Sequence, residues 1–239
     1  EATSGNSGIA LAYVCNLIGL RFIAVIPGNM TPQRALKIKE HRGQVRFVGD
    51  NDFAGAVAMR DQMVLSMEGF TPNQFSNPEN IRAHYLTTGS EILSKATELG
   101  FGIDAWVAGT GTAGTFMGVL QRLQTVFPHV EGVTLEPAES AVMTALRQSN
   151  ALYIPSGHKI GGIGDGFIPE LMQMVFANHV FTITSEEAIE RAARLNRDLG
   201  IQVGYSSGAN VLAAERYILE FKPKNAVITI LPDHADRYV

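Results

Sequence analysis

Apolar positions along the chain form short strand-like runs that alternate with longer stretches of helical spacing. The strand-like runs are rich in β-branched residues, are bounded by Gly, Pro and Asn, and cover 22–26, 45–48, 105–108, 132–135, 180–183 and 226–231. The helical stretches cover 32–39, 53–67, 116–126 and 185–199. Because the strands are almost continuously apolar and alternate with helices, the pattern predicts an α/β fold with mostly parallel sheets that are covered on both faces.

A change of composition between Gly69 and Asn80, where Gly, Pro, Asn, Gln and Ser accumulate, marks a candidate domain boundary. We therefore predict two three-layer α/β/α domains, a smaller one at 1–80 and a larger one at 81–239. A glycine loop lies at the very start of the smaller domain, so we expect that domain to be incomplete at its N-terminus.

Two glycine loops precede apolar helical stretches, one at 3–8 (TSGNSG) and one at 109–115 (GTGTAGT). Glycines and short hydroxyl side chains at the start of a helix form anion sites, because backbone N–H groups are exposed at the positive helix end. Ligands of such folds bind at the carboxyl ends of the strands. We therefore expect the two loops to face one cleft and to hold a ligand with a carboxylate and a phosphate.

The second loop also satisfies the G-x-G-x-x-G pattern of dinucleotide-binding proteins, since it follows a strand and precedes a helix. That alternative needs an acidic residue for the ribose at the end of the next strand, where the sequence offers Glu136. The hydroxyls of Thr112 and Thr115 add donors to the loop, and they favour a phosphate monoester instead.

Composition restricts the classes of partner. The 239 residues carry a net charge of −4, which argues against nucleic acid, and the lone Cys15 excludes an intrachain disulfide and fits a reducing compartment. No stretch approaches the ~20 apolar residues of a membrane span, and the histidines lack metal-ligand spacing. We expect a cytoplasmic protein without metal, membrane or nucleic acid, and we keep His234, which follows the last strand, as a candidate site residue.

Several segments in a fixed order carry a family resemblance. They are EATSGNSG at 1–8, QFSNP at 74–78, HY at 84–85 with TTG at 87–89, GTAGT at 111–115, HKIGGIGDGFIP at 158–169, GYSSG at 204–208 and RY at 237–238. Together they resemble the cysteine synthase and cystathionine β-synthase family of pyridoxal-phosphate enzymes, which has the tryptophan-synthase-β-like fold. The resemblance covers essentially the whole chain and implies a shortfall of about 65 residues at its start.

The resemblance implies roles for individual residues. The residues expected to bind the cofactor are Asn6, Gly111, Thr112, Ala113, Gly114, Thr115 and Ser206. Those expected to bind the substrate, chiefly through its carboxylate, are Thr3, Ser4, Gly5, Ser7, Gln74 and Gly162. Ser206 would face the pyridine nitrogen, and a hydroxyl at that position moderates electron withdrawal, which suits β-elimination.

The activity implied is β-replacement on an O-activated L-serine through an aminoacrylate, with L-cysteine synthesis from O-acetylserine and sulfide as the leading reaction. Asp165 stands where the family usually has a small residue, so it is the candidate general base for two alternatives, cysteine breakdown that releases hydrogen sulfide and cystathionine synthesis. The Schiff-base lysine is expected ahead of Glu1. A binding protein without turnover is the alternative of another class, and the resemblance also implies a homodimer.

Overall fold

The computed structural model describes residues 1–3, 5–50 and 52–237. Ser4 and Tyr238, which the sequence analysis singles out, lie outside the described residues. The described chain divides into two compact units, one formed by residues 1–73 with the chain end from Asp236, and one formed by residues 74–235. The domain division after residue 80 stays a prediction.

The first unit is built around two parallel strands. Its elements are α1 (Asn6–Leu17), β1 (Ile23–Pro27), α2 (Pro32–Glu40), β2 (Gln44–Val48) and α3 (Phe53–Ser66). The strands pair from Ile23 opposite Gln44 to Pro27 opposite Val48, and Ala2 forms a parallel bridge to Val25. The N-terminal segment therefore runs beside β1, which fixes the start of the first glycine loop.

Local sequence explains where two of these helices begin. Pro32 occupies the first turn of α2, where its fixed φ suits the helix and its missing N–H removes no intrahelical bond. The Asp52 carboxylate accepts from the Gly55 N–H at 2.7 Å and so caps α3. Both helices start where the sequence predicts them.

A buried ion pair joins the N-terminal segment to α3. Arg60 Nη1 lies 3.2 Å from Glu1 Oε1, and both side chains are almost completely buried. The Thr71 hydroxyl donates to Glu1 Oε2 at 3.0 Å, and Arg60 also donates to the Asn73 side chain at 3.0 Å. The pair is thus satisfied on both sides, which is the condition under which buried charges are tolerated.

We expect Arg60→Met to destabilise the first unit by roughly 3–5 kcal/mol, because it leaves the Glu1 carboxylate buried without its charge partner. Urea unfolding of the purified protein measures the change. Lys37→Met is the matched control, since Lys37 pairs with a half-exposed Asp236 in the same unit and should cost less than ~1 kcal/mol. Equal losses in the two variants would contradict the importance of the buried pair.

The second unit contains a four-stranded sheet and its covering helices. Its elements are α4 (Glu79–Leu86), α5 (Thr88–Leu99), β3 (Ile103–Gly109), α6 (Gly114–Gln124), β4 (Glu131–Pro137), α7 (Val142–Arg147), β5 (His179–Ile183), α8 (Ser185–Leu199), α9 (Tyr205–Phe221) and β6 (Ala226–Thr229). The strand order is β5-β4-β3-β6, and every pairing is parallel. The predicted α/β fold with parallel sheets is confirmed.

Successive residues of β3 contribute to hydrophobic clusters on opposite faces of this sheet. Trp106 belongs to the cluster that includes residues of α5 and α6, and Val107 belongs to the cluster that includes residues of α8 and α9. Both residues are completely buried. The sheet is therefore covered on both faces, as its nearly continuous apolar strands predict.

The segment 204–208 lies at the start of a helix, because α9 begins at Tyr205. Glycine and serine usually indicate a loop, but here Gly208 lies in the first turns of a helix that packs closely on α8. A Cβ at Gly208 would collide with the Ala188 carbonyl, so the small residue serves helix–helix packing. By contrast, the predicted capping box at Thr184 and Glu187 is present at the start of α8.

Among the described residues, no helix is long and apolar enough to cross a bilayer.

Candidate cofactor and substrate site

The turn between β3 and α6 is the central feature of the second unit. It covers residues 110–113, follows the carboxyl end of β3 at Gly109 and leads directly into α6 at Gly114. The first N–H groups of a helix have no intrahelical acceptor, and the helix dipole is positive there. The turn therefore has the backbone arrangement that an anion site requires, and its role in binding an anion stays a prediction.

Two residues of the turn have unusual backbone surroundings. A Cβ at Gly111 would collide with the Gly162 carbonyl oxygen, so this position requires glycine. Ala113 adopts the left-handed conformation with φ of 70° just before α6, and its side chain is buried. The turn is thus held in one shape by close backbone contact on one side and by burial on the other.

Side chains of α4 and the first residue of α5 support the hydroxyls of the turn and of the start of α6. Asn80 Nδ2 donates to Thr112 Oγ1 at 3.0 Å, and the Thr115 hydroxyl lies 3.0 Å from His84 Nε2. His84 Nδ1 in turn lies 3.0 Å from the Thr88 hydroxyl. Thr112 and Thr115, both predicted to bind phosphate, are therefore oriented by partners that the sequence analysis did not assign to the site.

The hydroxyl of Thr110 has a different role. It lies 2.6 Å from the Thr134 hydroxyl of β4, and Thr134 donates to the Ala108 carbonyl at 3.0 Å. All three residues are buried. The Thr110 side chain thus ties the start of the turn to the sheet, while its backbone remains part of the turn.

The start of α9 is fixed to the same edge of the sheet. Asn210 accepts from the Gly109 N–H at 2.8 Å and donates to the Ile230 carbonyl at 2.8 Å. Ser206 lies one turn earlier on the same helix face and is buried. Ser206 thus lies in the first turn of a helix that Asn210 anchors to the end of β3, and its expected contact with the cofactor ring stays a prediction.

The glycine-rich segment 160–166 lies against the turn. Gly162, Gly164 and Gly166 all adopt positive φ, which glycine tolerates without the strain of a side chain. The Gly164 N–H donates to the Thr110 carbonyl at 3.3 Å. The residue before the half-buried Asp165 is therefore hydrogen-bonded to the turn at 110–113.

The first unit contains the other glycine loop. Thr3 is buried, and its hydroxyl oxygen accepts from the N–H groups of Gly5 and Gly8 at 3.1 and 3.2 Å. Asn6 and Ser7 are the first two residues of α1 and are half-buried. The loop thus forms a second helix start with donors of the kind that bind a carboxylate. The substrate roles of Thr3, Ser4, Gly5 and Ser7, and the shared cleft, stay predictions.

The remaining candidates lie in the second unit. Gln74 is half-buried, and its carbonyl accepts from Asn80 Nδ2 at 2.9 Å. The space next to the Cα of Gly162 is open, which leaves room for a ligand. His234 lies in an antiparallel bridge with Val203 near the end of the unit. Within the described residues, no group of three or more His, Cys, Asp or Glu side chains could hold a metal ion.

The structure disfavours the dinucleotide alternative. Glu136 is buried, and its two carboxylate oxygens accept from the N–H groups of Met143 and Thr144 at 2.8 and 2.7 Å. Burial raises the pKa of this carboxyl, and the hydrogen bonds to Thr144 and Met143 oppose that rise. Glu136 therefore caps α7, and both its oxygens are engaged instead of facing a ribose.

Two histidines at the site are held in the neutral form. Burial lowers the pKa of His84. Burial also lowers the pKa of His158, although its bond to the Gly164 carbonyl and the nearby Glu139 carboxylate act in the opposite direction. Sequence alone assigns neither residue to the turn, because His84 meets Thr115 across 31 residues and His158 reaches the turn only through Gly164.

These shifts predict a pH dependence of stability. A histidine with a lowered pKa in the folded state binds a proton more readily when the chain unfolds, so acidification below about pH 6.5 favours unfolding. As the pH falls from about 6.5 towards the lowered pKa values, we expect the free energy of unfolding to decrease. The slope corresponds to the uptake of less than one proton per histidine on unfolding. Urea unfolding over this range measures the slope, and the double variant H84Q/H158Q should flatten it. An unchanged slope in that variant would contradict the assignment.

The turn suits a phosphate monoester such as that of pyridoxal phosphate. It offers two neutral hydroxyls, the N–H groups of a helix start and a glycine backbone that a Cβ would block. The cofactor phosphate would be held by Gly111, Thr112, Gly114 and Thr115, and the ring nitrogen by Ser206.

Comparison with known proteins agrees with this geometry. Residues 1–233 match the family described as pyridoxal-phosphate dependent enzyme. A cysteine synthase of Staphylococcus aureus is 34% identical over 240 residues, which span all of this chain and 74% of that protein.

Two solved structures are similar over the full chain. A hydrogen sulfide-producing enzyme of Fusobacterium nucleatum, solved as a variant with an alpha-aminoacrylate intermediate, is 31% identical with a TM-score of 0.93 over 100% of this chain and 70% of that one. An O-acetylserine dependent cystathionine beta-synthase of Helicobacter pylori is 32% identical with a TM-score of 0.89 over 100% and 75%. The chain belongs to the pyridoxal-phosphate dependent enzymes, within the cysteine synthase and cystathionine β-synthase group.

Proposed function

We propose that this protein makes L-cysteine from O-acetylserine and sulfide. The coarser assignment, pyridoxal-phosphate dependent β-replacement on serine derivatives, follows from the relatives and from the fold. The observation that supports the proposal is the turn at 110–113 with Thr112, followed by Thr115 in α6, since these hydroxyls and the helix start at the carboxyl end of β3 suit a phosphate group. Family membership also favours an enzyme over a binding protein without turnover.

The residues of this chain bind and orient the reactants. When bound, pyridoxal phosphate withdraws electrons from the α-carbon of the amino acid. Thr112, Thr115 and the start of α6 would hold the phosphate end, and the Ser206 hydroxyl would face the ring nitrogen. A neutral hydroxyl there leaves the ring less electron-withdrawing than an aspartate would, which favours elimination at the β-carbon.

The first glycine loop is assigned to the amino-acid carboxylate. The hydroxyls of Thr3 and Ser7 and the start of α1 are suited to an anion of that size. Asn6 is proposed to contact the cofactor, as the resemblance implies. Of the lysines, Lys37 and Lys95 are held in ion pairs with Asp236 and Glu98. We assign neither as the lysine that carries the cofactor, and its expected place ahead of Glu1 stays a prediction.

Product analysis tests the reaction. The full-length protein is incubated with O-acetylserine plus sulfide, with O-phosphoserine plus sulfide, or with cysteine alone, and products are identified by mass. Cysteine formed from O-acetylserine supports the proposal. Sulfide released from cysteine, with no cysteine formed in the first reaction, would refute it. The homodimer and the cytoplasmic location also stay predictions.

Sulfide release from cysteine is the second candidate, and Asp165 favours it. A carboxylate in the segment that lies on the phosphate turn could accept a proton from water or from a thiol that attacks the substrate. The hydrogen sulfide-producing enzyme among the similar structures supports the same direction.

If Asp165 is the base, Asp165→Asn should lower sulfide release by at least about 100-fold, because the amide cannot take up a proton. The assay is sulfide release from cysteine by the loaded full-length enzyme, and the affinity for the cofactor should not change. Glu170→Gln serves as the control, since this exposed carboxylate lies in the same region of the chain. Unchanged release in the Asp165 variant would remove it from the mechanism.

A further inference from the structure

The ring of His158 lies between two backbone groups whose hydrogen-bonding roles are fixed. The Ile160 N–H can only donate, and it lies 3.2 Å from His158 Nδ1, so that nitrogen is the acceptor. The Gly164 carbonyl can only accept, and it lies 2.9 Å from His158 Nε2, so that nitrogen carries the proton. A single neutral tautomer satisfies both bonds.

Gly164 is held on both sides of its backbone. Its carbonyl also accepts from the Ser140 hydroxyl at 2.9 Å, and its N–H donates to the Thr110 carbonyl at 3.3 Å. Gly162, two residues earlier, presents its carbonyl to the backbone of Gly111. The segment 158–164 therefore contacts the turn at two points, through Gly162 at Gly111 and through Gly164 at Thr110.

Charged groups near His158 act in opposite senses. Glu139 faces the histidine and favours its cation, while one of its oxygens accepts from the Ser185 N–H at 2.9 Å. The Lys159 N–H donates to the Ser185 hydroxyl at 2.9 Å, and Lys159 is exposed to solvent. Asp165 follows Gly164 directly. Burial of the ring opposes the Glu139 carboxylate and favours the neutral form.

We propose that His158 is a positioning residue for the cofactor phosphate: it holds Gly164, and through Gly164 it holds Thr110 and the shape of the turn. It acts through Gly164 and Thr110 and makes no direct contact with the cofactor. The inference rests on the assignment of the turn at 110–115 to the phosphate of pyridoxal phosphate.

Two variants separate this role from simple packing. In His158→Gln the side-chain amide can still donate to the Gly164 carbonyl, whereas in His158→Asn the shorter side chain can only accept from the Ile160 N–H. The measurement is the dissociation constant of pyridoxal phosphate for the full-length protein. We expect the Gln variant to stay within about twofold of the parent protein and the Asn variant to bind roughly tenfold more weakly. Equal weakening in both variants, or no change in either, would overturn the proposal.

Acidification provides a second readout. Protonation of His158 places an N–H on Nδ1 against the Ile160 N–H, so the affinity of the parent protein should fall as the pH drops through the lowered pKa of His158, which lies below the ordinary histidine value of about 6.5. In His158→Gln this loss of affinity on acidification is missing. Because the cofactor phosphate and the other groups titrate in both proteins, the difference between the two pH profiles reports on His158. Identical pH profiles for the two proteins would count against the proposal.

Further variants keep the outcomes distinguishable. Ser140→Ala removes the other donor to the Gly164 carbonyl and should weaken binding in the same direction by less, so the proposal remains testable if His158→Asn does not fold. Thr115→Val reports on the turn itself and should weaken binding at every pH. If Thr115→Val leaves affinity unchanged, the phosphate assignment and the proposed function fail. If only the His158 and Ser140 variants leave it unchanged, the positioning role alone fails.

Discussion

The close approach of two glycine backbones, Gly111 in the phosphate turn and Gly162 in the glycine-rich segment, is the constraint on which the site depends. A Cβ at Gly111 would displace the Gly162 carbonyl, so the turn keeps its shape only without a side chain there. This contact brings the helix start at Gly114 and the segment that carries Asp165 to one edge of the sheet. The residues that we propose for phosphate binding and for proton transfer thereby lie in neighbouring parts of the second unit.

Buried and half-buried polar side chains support this contact. His84 and Asn80 orient the threonine hydroxyls, Asn210 ties the start of α9 to the ends of β3 and β6, and Thr110 bonds to Thr134 in the sheet. Such groups are stable in the interior because each has its partners. Neutral histidines suit this layer, since an imidazole that is not charged costs less to bury.

Local sequence signals predict much of the fold. β-Branched runs locate all six strands, and Pro32 and the Thr184 capping box mark helix starts that the structure also has. The helices α4, α5, α7 and α9 were not predicted. In α5 and α9, Gly and Ser are signals that also belong to loops. At Gly208 the reason for the small residue is packing on α8, which local sequence does not reveal.

The candidate site is likewise predictable from the sequence only in part. Glycines and threonines ahead of a helix point to the phosphate turn from sequence alone, and the resemblance adds roles for Ser206 and Asp165. The supporting contacts could not be predicted, since His84 meets Thr115 across 31 residues and Asn210 meets Gly109 across 101. Glu136 shows how the structure decides between alternatives, because its position near the end of a strand would also suit a ribose contact, whereas its carboxylate caps α7.

The most direct test of the central claim is a crystal structure of the full-length protein with pyridoxal phosphate bound. The account predicts that the phosphate oxygens lie within hydrogen-bond distance of the Thr112 and Thr115 hydroxyls and of N–H groups at the start of α6. A phosphate bound elsewhere, with the turn at 110–113 facing solvent, would contradict it.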